Sequence, residues 1–179
     1  PVLRALATHR LPWPKVSITL TDERWVPLSS PRSNQGMLMR MLQQANGGTP
    51  GIVPLYNGAE TPEIGARVVA RTLQASILPL SLVVLGMGTD MHTASLFPDA
   101  KGLDEALAPW APPVVAIRPR GEEEPRLTLS AQTLQAPERH LLITGAEKRE
   151  ALDRAQQIGD PVRAPILAVL DGATVHYAD

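Results

Sequence analysis

The chain has 179 residues, one domain's length with room for a single sizeable core. Its formal net charge is −1 and it has no cysteine. That excludes disulfides, iron–sulfur clusters, a Cys nucleophile and Cys-ligated zinc, and argues against a general nucleic-acid or polybasic membrane surface. Three Trp, two Tyr and one Phe are too few for a base-stacking platform, whereas 44% hydrophobic residues suffice for a packed core. No apolar run approaches the roughly 20 residues of a membrane helix and no signal peptide is visible, so a cytoplasmic location is expected.

In chain order, Val16–Leu20 predicts a strand, because it is rich in β-branched residues and followed by a polar cluster. Ser33–Gln44 predicts a helix with Ser33 as N-cap and Met37, Leu38, Met41 and Leu42 at helical spacing. Thr61-Pro62-Glu63 is a helix start, with a cap, Pro at the first helical position and an acid in the first turn. That helix should run to about Ala75. Leu80–Leu85 is a nearly continuous apolar run stopping at Gly86, the pattern of a strand buried on both faces. Val114–Ile117 predicts a short strand, Gly121–Pro125 a charged loop, and Ser130–Leu134 a helical turn. His140–Thr144 predicts a strand, Ala146–Gln157 a helix, Ile166–Leu170 a strand and Val175–Tyr177 a short terminal one. The alternation indicates one α/β domain over residues 1–179, with an open, mostly parallel sheet and helices on both faces.

In such sheets ligands bind at the carboxyl ends of the strands. Three polar segments occupy those ends: Thr21–Pro27, Gly86–Ser95 and Gly145–Lys148. Taken singly, Asp22-Glu23-Arg24 also reads as a surface turn with a local ion pair, Gly86-Met87-Gly88 as a bare βα turn, and Lys148 as a solvated first-turn residue. Their convergence suggests a small phosphorylated dianion. Such a ligand calls for Arg or Lys beside backbone N–H groups, and the start of the Ala146 helix with Lys148 fits. His92 is the histidine in the glycine-rich strand-end segment, and a neutral imidazole suits a general base near pH 7. Asp90 could orient it or hold a substrate hydroxyl. His9, His140 and His176 have blander readings as surface or strand residues. No His pair has convincing metal spacing, so no metal is expected.

These segments are recognisable. Asp22-Glu23-Arg24-Trp25-Val26-Pro27, followed by Ser33-Asn34-Gln35-Gly36, resembles the Asp-Glu-Arg-x-Val-Pro and Ser-Asn-x-Gly pair of 6-phosphogluconolactonases. Gly86 to Pro98 resembles that family's second signature, Gly-Met-Gly-x-Asp-Gly-His-Thr-Ala-Ser-Leu-Phe-Pro, at every specified position except Met91. Arg126-Leu127-Thr128-Leu129 and Thr144–Lys148 resemble two later segments.

The resemblance implies a Rossmann-like fold and hydrolysis of 6-phospho-D-glucono-1,5-lactone to 6-phosphogluconate in the oxidative pentose phosphate pathway. It implies His92 as the base that activates water, with Asp90 and Arg24 in the catalytic set. Asp22, Glu23, Asn34, Gly86, Gly88, Arg126 and Lys148 would bind substrate, Arg24 and Lys148 serving the phosphate or the developing oxyanion. A lactone is an activated ester, so a positioned water, a base and modest oxyanion stabilisation suffice, without a cofactor. Near-neutral charge makes a monomer the default expectation.

Two departures mark this chain. Met91 stands where the family has Gly, a position that glycine can occupy with positive φ. The family also begins with an earlier strand and a Gly-Gly-Ser-x-Pro loop. Pro1-Val2-Leu3-Arg4 resembles the helix after that loop, so the resemblance implies an N-terminally incomplete domain. Two alternatives follow. One is a non-catalytic sugar-phosphate-binding remnant. The other is an enzyme like the related glucosamine-6-phosphate deaminases, against which Arg24 and Thr93–Phe97 speak.

Overall fold

The computed structural model describes residues 2–121 and 124–178. The chain begins with α1 (Val2–Thr8), a 3-10 turn at Trp13–Lys15, and the short strands β1 (Ser17–Thr19) and β2 (Asp22–Arg24). Next come α2 (Asn34–Leu42), β3 (Gly51–Val53) and α3 (Pro62–Ser76). The second half holds β4 (Leu82–Gly86), α4 (Leu103–Leu107), β5 (Val114–Ile117), β6 (Arg126–Leu129), β7 (Glu138–Thr144), α5 (Ala146–Ile158), α6 (Leu167–Leu170) and β8 (Thr174–Ala178).

Among the described residues the strands form three small sheets. β1 pairs with β3 in parallel, and β4, β7 and β8 form a parallel sheet in that order. β2, β6 and β5 form an antiparallel sheet. The chain is thus an α/β protein with mostly parallel pairing, as expected. Among the described residues, no helix is long and apolar enough to cross a membrane.

The strongest local signals give the expected elements. Ser33 caps α2 by accepting a hydrogen bond from Gly36 N–H, and Thr61 caps α3 by accepting from Ile64 N–H. α3 turns Ala66, Val69, Ala70 and Leu73 into the main core, where they join Val83, Leu85, Leu141 and Ile143 from β4 and β7. A smaller cluster of Ala7, Trp13, Leu38 and Leu42 holds α1 against α2.

Three expectations are corrected. Ile166–Leu170 is not a strand: α6 occupies it, and Ile166 and Val169 are buried at a spacing of three, as a helix requires. A short apolar run does not by itself separate the two readings. Leu80–Leu85 is not buried on both faces. Val83 and Leu85 are 3% exposed, whereas Leu82 and Val84 are 53% and 40% exposed, so one face of β4 stays open. Apolar composition records what a strand can bury, not which face its neighbours cover. Finally, Asp22–Arg24 is not a loop after a strand. It is itself a strand, and it pairs with β6 in the register Asp22↔Thr128, Glu23↔Leu127 and Arg24↔Arg126. Within the charged loop expected at 121–125, residues 122 and 123 lie outside the described residues.

Candidate active site

The parallel strand β4 ends at Gly86, and the chain then makes a tight loop through His92. Gly88 N–H donates to the His92 carbonyl at 3.0 Å, and Met91 N–H donates to the Gly88 carbonyl at 3.0 Å. Thr93 Oγ1 donates to the Gly86 carbonyl at 2.8 Å. These bonds fold the loop back on the strand end. There His92 Nδ1 meets Asp90 Oδ1 at 2.5 Å. The carboxylate holds the proton on Nδ1 and leaves Nε2 as the basic nitrogen. The His92 ring also rests on Phe97, with centroids 4.4 Å apart, which limits its rotation.

Glycine at position 88 is a steric requirement of this pair. A Cβ there would overlap both His92 Nδ1 and Asp90 Oδ1. Met91, by contrast, occupies the left-handed region with φ +68°. The loop therefore retains the conformation that glycine adopts most readily, at a strain of about 1–2 kcal/mol. It is held there in part because Ile166 N–H donates to the Met91 carbonyl at 3.1 Å.

β2 brings a second set of groups. Asp22 Oδ2 accepts from Ser95 Oγ at 2.6 Å, although the two residues are 73 positions apart. Burial pushes the Asp22 carboxyl above its ordinary value, and this outweighs the opposing pull of the Ser95 hydrogen bond and of the Arg126 and Arg24 guanidinium groups. Alternation along the strand puts Asp22 and Arg24 on one face, and the register places Thr128 and Arg126 opposite them.

Glu23 faces the other way and is 1% exposed. It was expected to bind substrate, but its carboxylate is fully engaged within the protein. Oε1 accepts from Arg24 N–H at 2.9 Å and Asn34 N–H at 2.8 Å. Oε2 accepts from Ser33 Oγ at 3.0 Å and Gln35 N–H at 2.8 Å. Glu23 thus fastens the N-terminus of α2 to β2, where an anion also complements the helix dipole. Asn34 is placed by this anchor. Its Oδ1 accepts from Arg24 Nη1 at 2.9 Å, and its Nδ2 donates to the Asp22 carbonyl at 3.2 Å. Arg24 Nη1 also donates to the Arg32 carbonyl at 2.8 Å. Arg24 Nε is buried without a hydrogen-bond partner among the described residues.

A cavity of about 300 Å³ lies between these parts, lined by Thr21, Asp22, Gly86, Gly88, His92 and Lys148, with Met87 and Ala94. Lys148 reaches it from the first turn of α5. The three segments expected to converge therefore do so. Arg24, Asn34 and Arg126 do not line the cavity itself; Arg24 and Arg126 supply positive charge beside Asp22. Arg126 is 9% exposed, and its guanidinium lies 4.9 Å from the Phe97 ring centroid. Nothing in the sequence indicates that Ser95 meets Asp22. A second concavity of about 410 Å³, lined by Gln74, Gln132, Gln135 and Pro79 among others, holds no titratable side chain among the described residues. Among the described residues, no three His, Asp or Glu side chains are grouped to hold a metal ion.

The chain matches the family model for glucosamine-6-phosphate isomerases/6-phosphogluconolactonase over residues 1–177. It is 42% identical to a 6-phosphogluconolactonase of Rhizobium meliloti, covering 93% of this chain and 73% of that protein. It is 44% identical to one of Mesorhizobium japonicum, covering 94% of this chain and 71% of the relative. The crystal structure of a 6-phosphogluconolactonase from Shewanella baltica superposes with a TM-score of 0.93 at 32% identity, covering 99% of this chain and 78% of that one.

Proposed function

Because the chain belongs to the glucosamine-6-phosphate isomerase/6-phosphogluconolactonase family, we propose that it hydrolyses 6-phospho-D-glucono-1,5-lactone to 6-phosphogluconate, with His92 as the base. The observation that carries this reading is the Asp90–His92 pair at the mouth of a cavity shared with Lys148. Nδ1 is tied to Asp90, so Nε2 can take a proton from water as the water oxygen adds to the lactone carbonyl carbon. General-base assistance of this kind contributes about 10²- to 10⁴-fold in rate. Negative charge then gathers on the carbonyl oxygen and is already present on the phosphate. Lys148 in the cavity and Arg24 beside it are the cations for these two anions. The buried Nε of Arg24, which has no hydrogen-bond partner among the described residues, supports its part, because a buried donor gains most from an anionic acceptor. Asn34 acts by holding Arg24, and Gly88 by leaving room for the pair. Met91 keeps the loop conformation that the pair needs, which favours an active enzyme over a binding remnant.

The test is turnover of freshly prepared lactone, read as product formation in excess of spontaneous opening. Excess turnover, with no release of ammonia from glucosamine 6-phosphate, supports the lactonase. Binding of 6-phosphogluconate without turnover would instead support the binding remnant, and ammonia release the deaminase.

A further inference from the structure

Opening a lactone needs two proton movements, and the mechanism above uses only one of them. Water must lose a proton as it attacks, and the ring oxygen must gain one as its bond to the carbonyl carbon breaks. A sugar alkoxide is a poor leaving group, so an acid placed in the same cavity lowers the second barrier. His92 leaves the first step as an imidazolium and is one acid for the second. The other cavity-lining groups able to carry a proton are Asp22 and Lys148. Lys148, in the first turn of α5, is the cavity's cation for the anions.

We propose that Asp22 is the proton donor to the departing ring oxygen. The proposal rests on the reading of His92 as the base. Asp22 lines the cavity with His92, and its Oδ2 is fixed by Ser95 Oγ at 2.6 Å. Ser95 is itself fully buried, and its backbone N–H donates to Thr128 Oγ1 at 3.2 Å. The carboxyl therefore has one oxygen held by a buried hydroxyl, on a residue that lines the cavity. Burial favours its protonated form. The charged and titratable groups around it are Arg24 and Glu23 on its own strand, Arg126 on β6, His92 on the loop and Lys148 on α5.

His92 Nε2 takes a proton from water while the water oxygen bonds to the carbonyl carbon, and the C=O electron pair moves to the carbonyl oxygen. On collapse that pair restores C=O. The bond to the ring oxygen breaks with its electrons on oxygen, and the Asp22 proton moves to it. The product has a carboxylic acid and a free hydroxyl. The imidazolium proton returns to Asp22 through solvent, and the acid releases one proton on ionising.

The experiment measures kcat and KM between about pH 5 and about pH 8 for the wild type, Asp22→Asn and His92→Gln, with melting curves and 6-phosphogluconate affinity for each. Asn keeps the shape and an oxygen for Ser95 but has no proton to give. The wild type should show a basic limb in kcat. Asp22→Asn should lose about 100-fold or more in kcat, lose that limb, and keep product affinity within about threefold. A kcat for Asp22→Asn within about threefold of the wild type overturns the proposal. So does a rise in KM alone with an unchanged pH profile, which would mark Asp22 as a hydroxyl-binding carboxylate. If Asp22→Asn does not fold, Ser95→Ala decides, since it frees the Asp22 oxygen that Ser95 Oγ holds: a lowered kcat with a changed pH profile supports the proposal, and wild-type kinetics overturn it. Loss of turnover in His92→Gln with an unaffected Asp22→Asn removes only this proposal. Full turnover in His92→Gln removes the reading on which it rests.

Discussion

Replacing Glu23 with Gln tests whether this carboxylate is a structural anchor rather than a ligand group. Glu23 is 1% exposed and accepts four hydrogen bonds, two on each oxygen. Gln keeps one acceptor oxygen and turns the other into an NH2 group. The oxygen is best kept where two backbone N–H groups, those of Arg24 and Asn34, point at it. The NH2 then faces Ser33 Oγ, which can accept instead of donate, and Gln35 N–H, which cannot. One buried N–H is orphaned, at about 1–3 kcal/mol, and the surviving bonds lose their charge assistance. The favourable charge at the N-terminus of α2 is also lost, at about 0.3–1 kcal/mol. The sum is about 3 kcal/mol. For a chain of this length that is a melting shift of about 6–12 °C. Urea unfolding with an unchanged slope and a lowered midpoint is the assay. A loss below about 1 kcal/mol would refute the anchoring argument, and an unshifted melting point with a raised KM would return Glu23 to the substrate.

Gly88→Ala should lower kcat about 100-fold or more with little change in melting, because its Cβ would part Asp90 from His92; unaltered turnover would contradict the steric argument. Asp90→Asn should lower kcat while leaving KM close to the wild type, since the imidazole loses the partner that fixes its tautomer; equal kinetics would remove Asp90 from the mechanism. Met91→Gly trades about 1–2 kcal/mol of left-handed strain against a lost half-buried side chain, so stability should stay within about 1 kcal/mol and turnover should persist. A tenfold fall in turnover would show that the methionine side chain takes part. Asp22→Asn should change the pH dependence of stability. The Asp22 carboxyl is raised in the folded protein, so the wild type binds more protons folded than unfolded and loses stability as pH climbs through the carboxylate range. Unfolding free energies of the variant minus the wild type should therefore rise from about pH 4 upward, and a flat difference would contradict the burial argument.

The legible parts of the fold were those with a local cause. Thr61-Pro62-Glu63 starts α3 because the cap, the fixed proline φ and the acid all act within one turn. Val114–Ile117 forms β5 as read. The strand Asp22–Arg24 was illegible because three charged residues carry no strand pattern, and its partner Arg126–Leu129 lies about a hundred residues away. Ile166–Leu170 is too short for its apolar pattern to separate a strand from a buried helical turn.

The site followed the same rule. Asp90 and His92, two residues apart, were readable as a pair, and Lys148 was readable at a helix start. The anchoring of Glu23 was illegible, because nothing in Asp22-Glu23-Arg24 shows that a later helix will sit on it. Only the folded chain brings α2 down onto it. The Asp22–Ser95 contact joins two distant segments and left no trace in spacing.

The most direct test of the central claim is His92→Ala measured beside the wild type on fresh 6-phosphogluconolactone, with the spontaneous rate subtracted and the melting point recorded for both. The His92 side chain is half-buried and not itself part of the core, so the variant should melt as the wild type does and lose about 10²- to 10⁴-fold in kcat. Wild-type turnover in a folded His92→Ala protein would contradict the account.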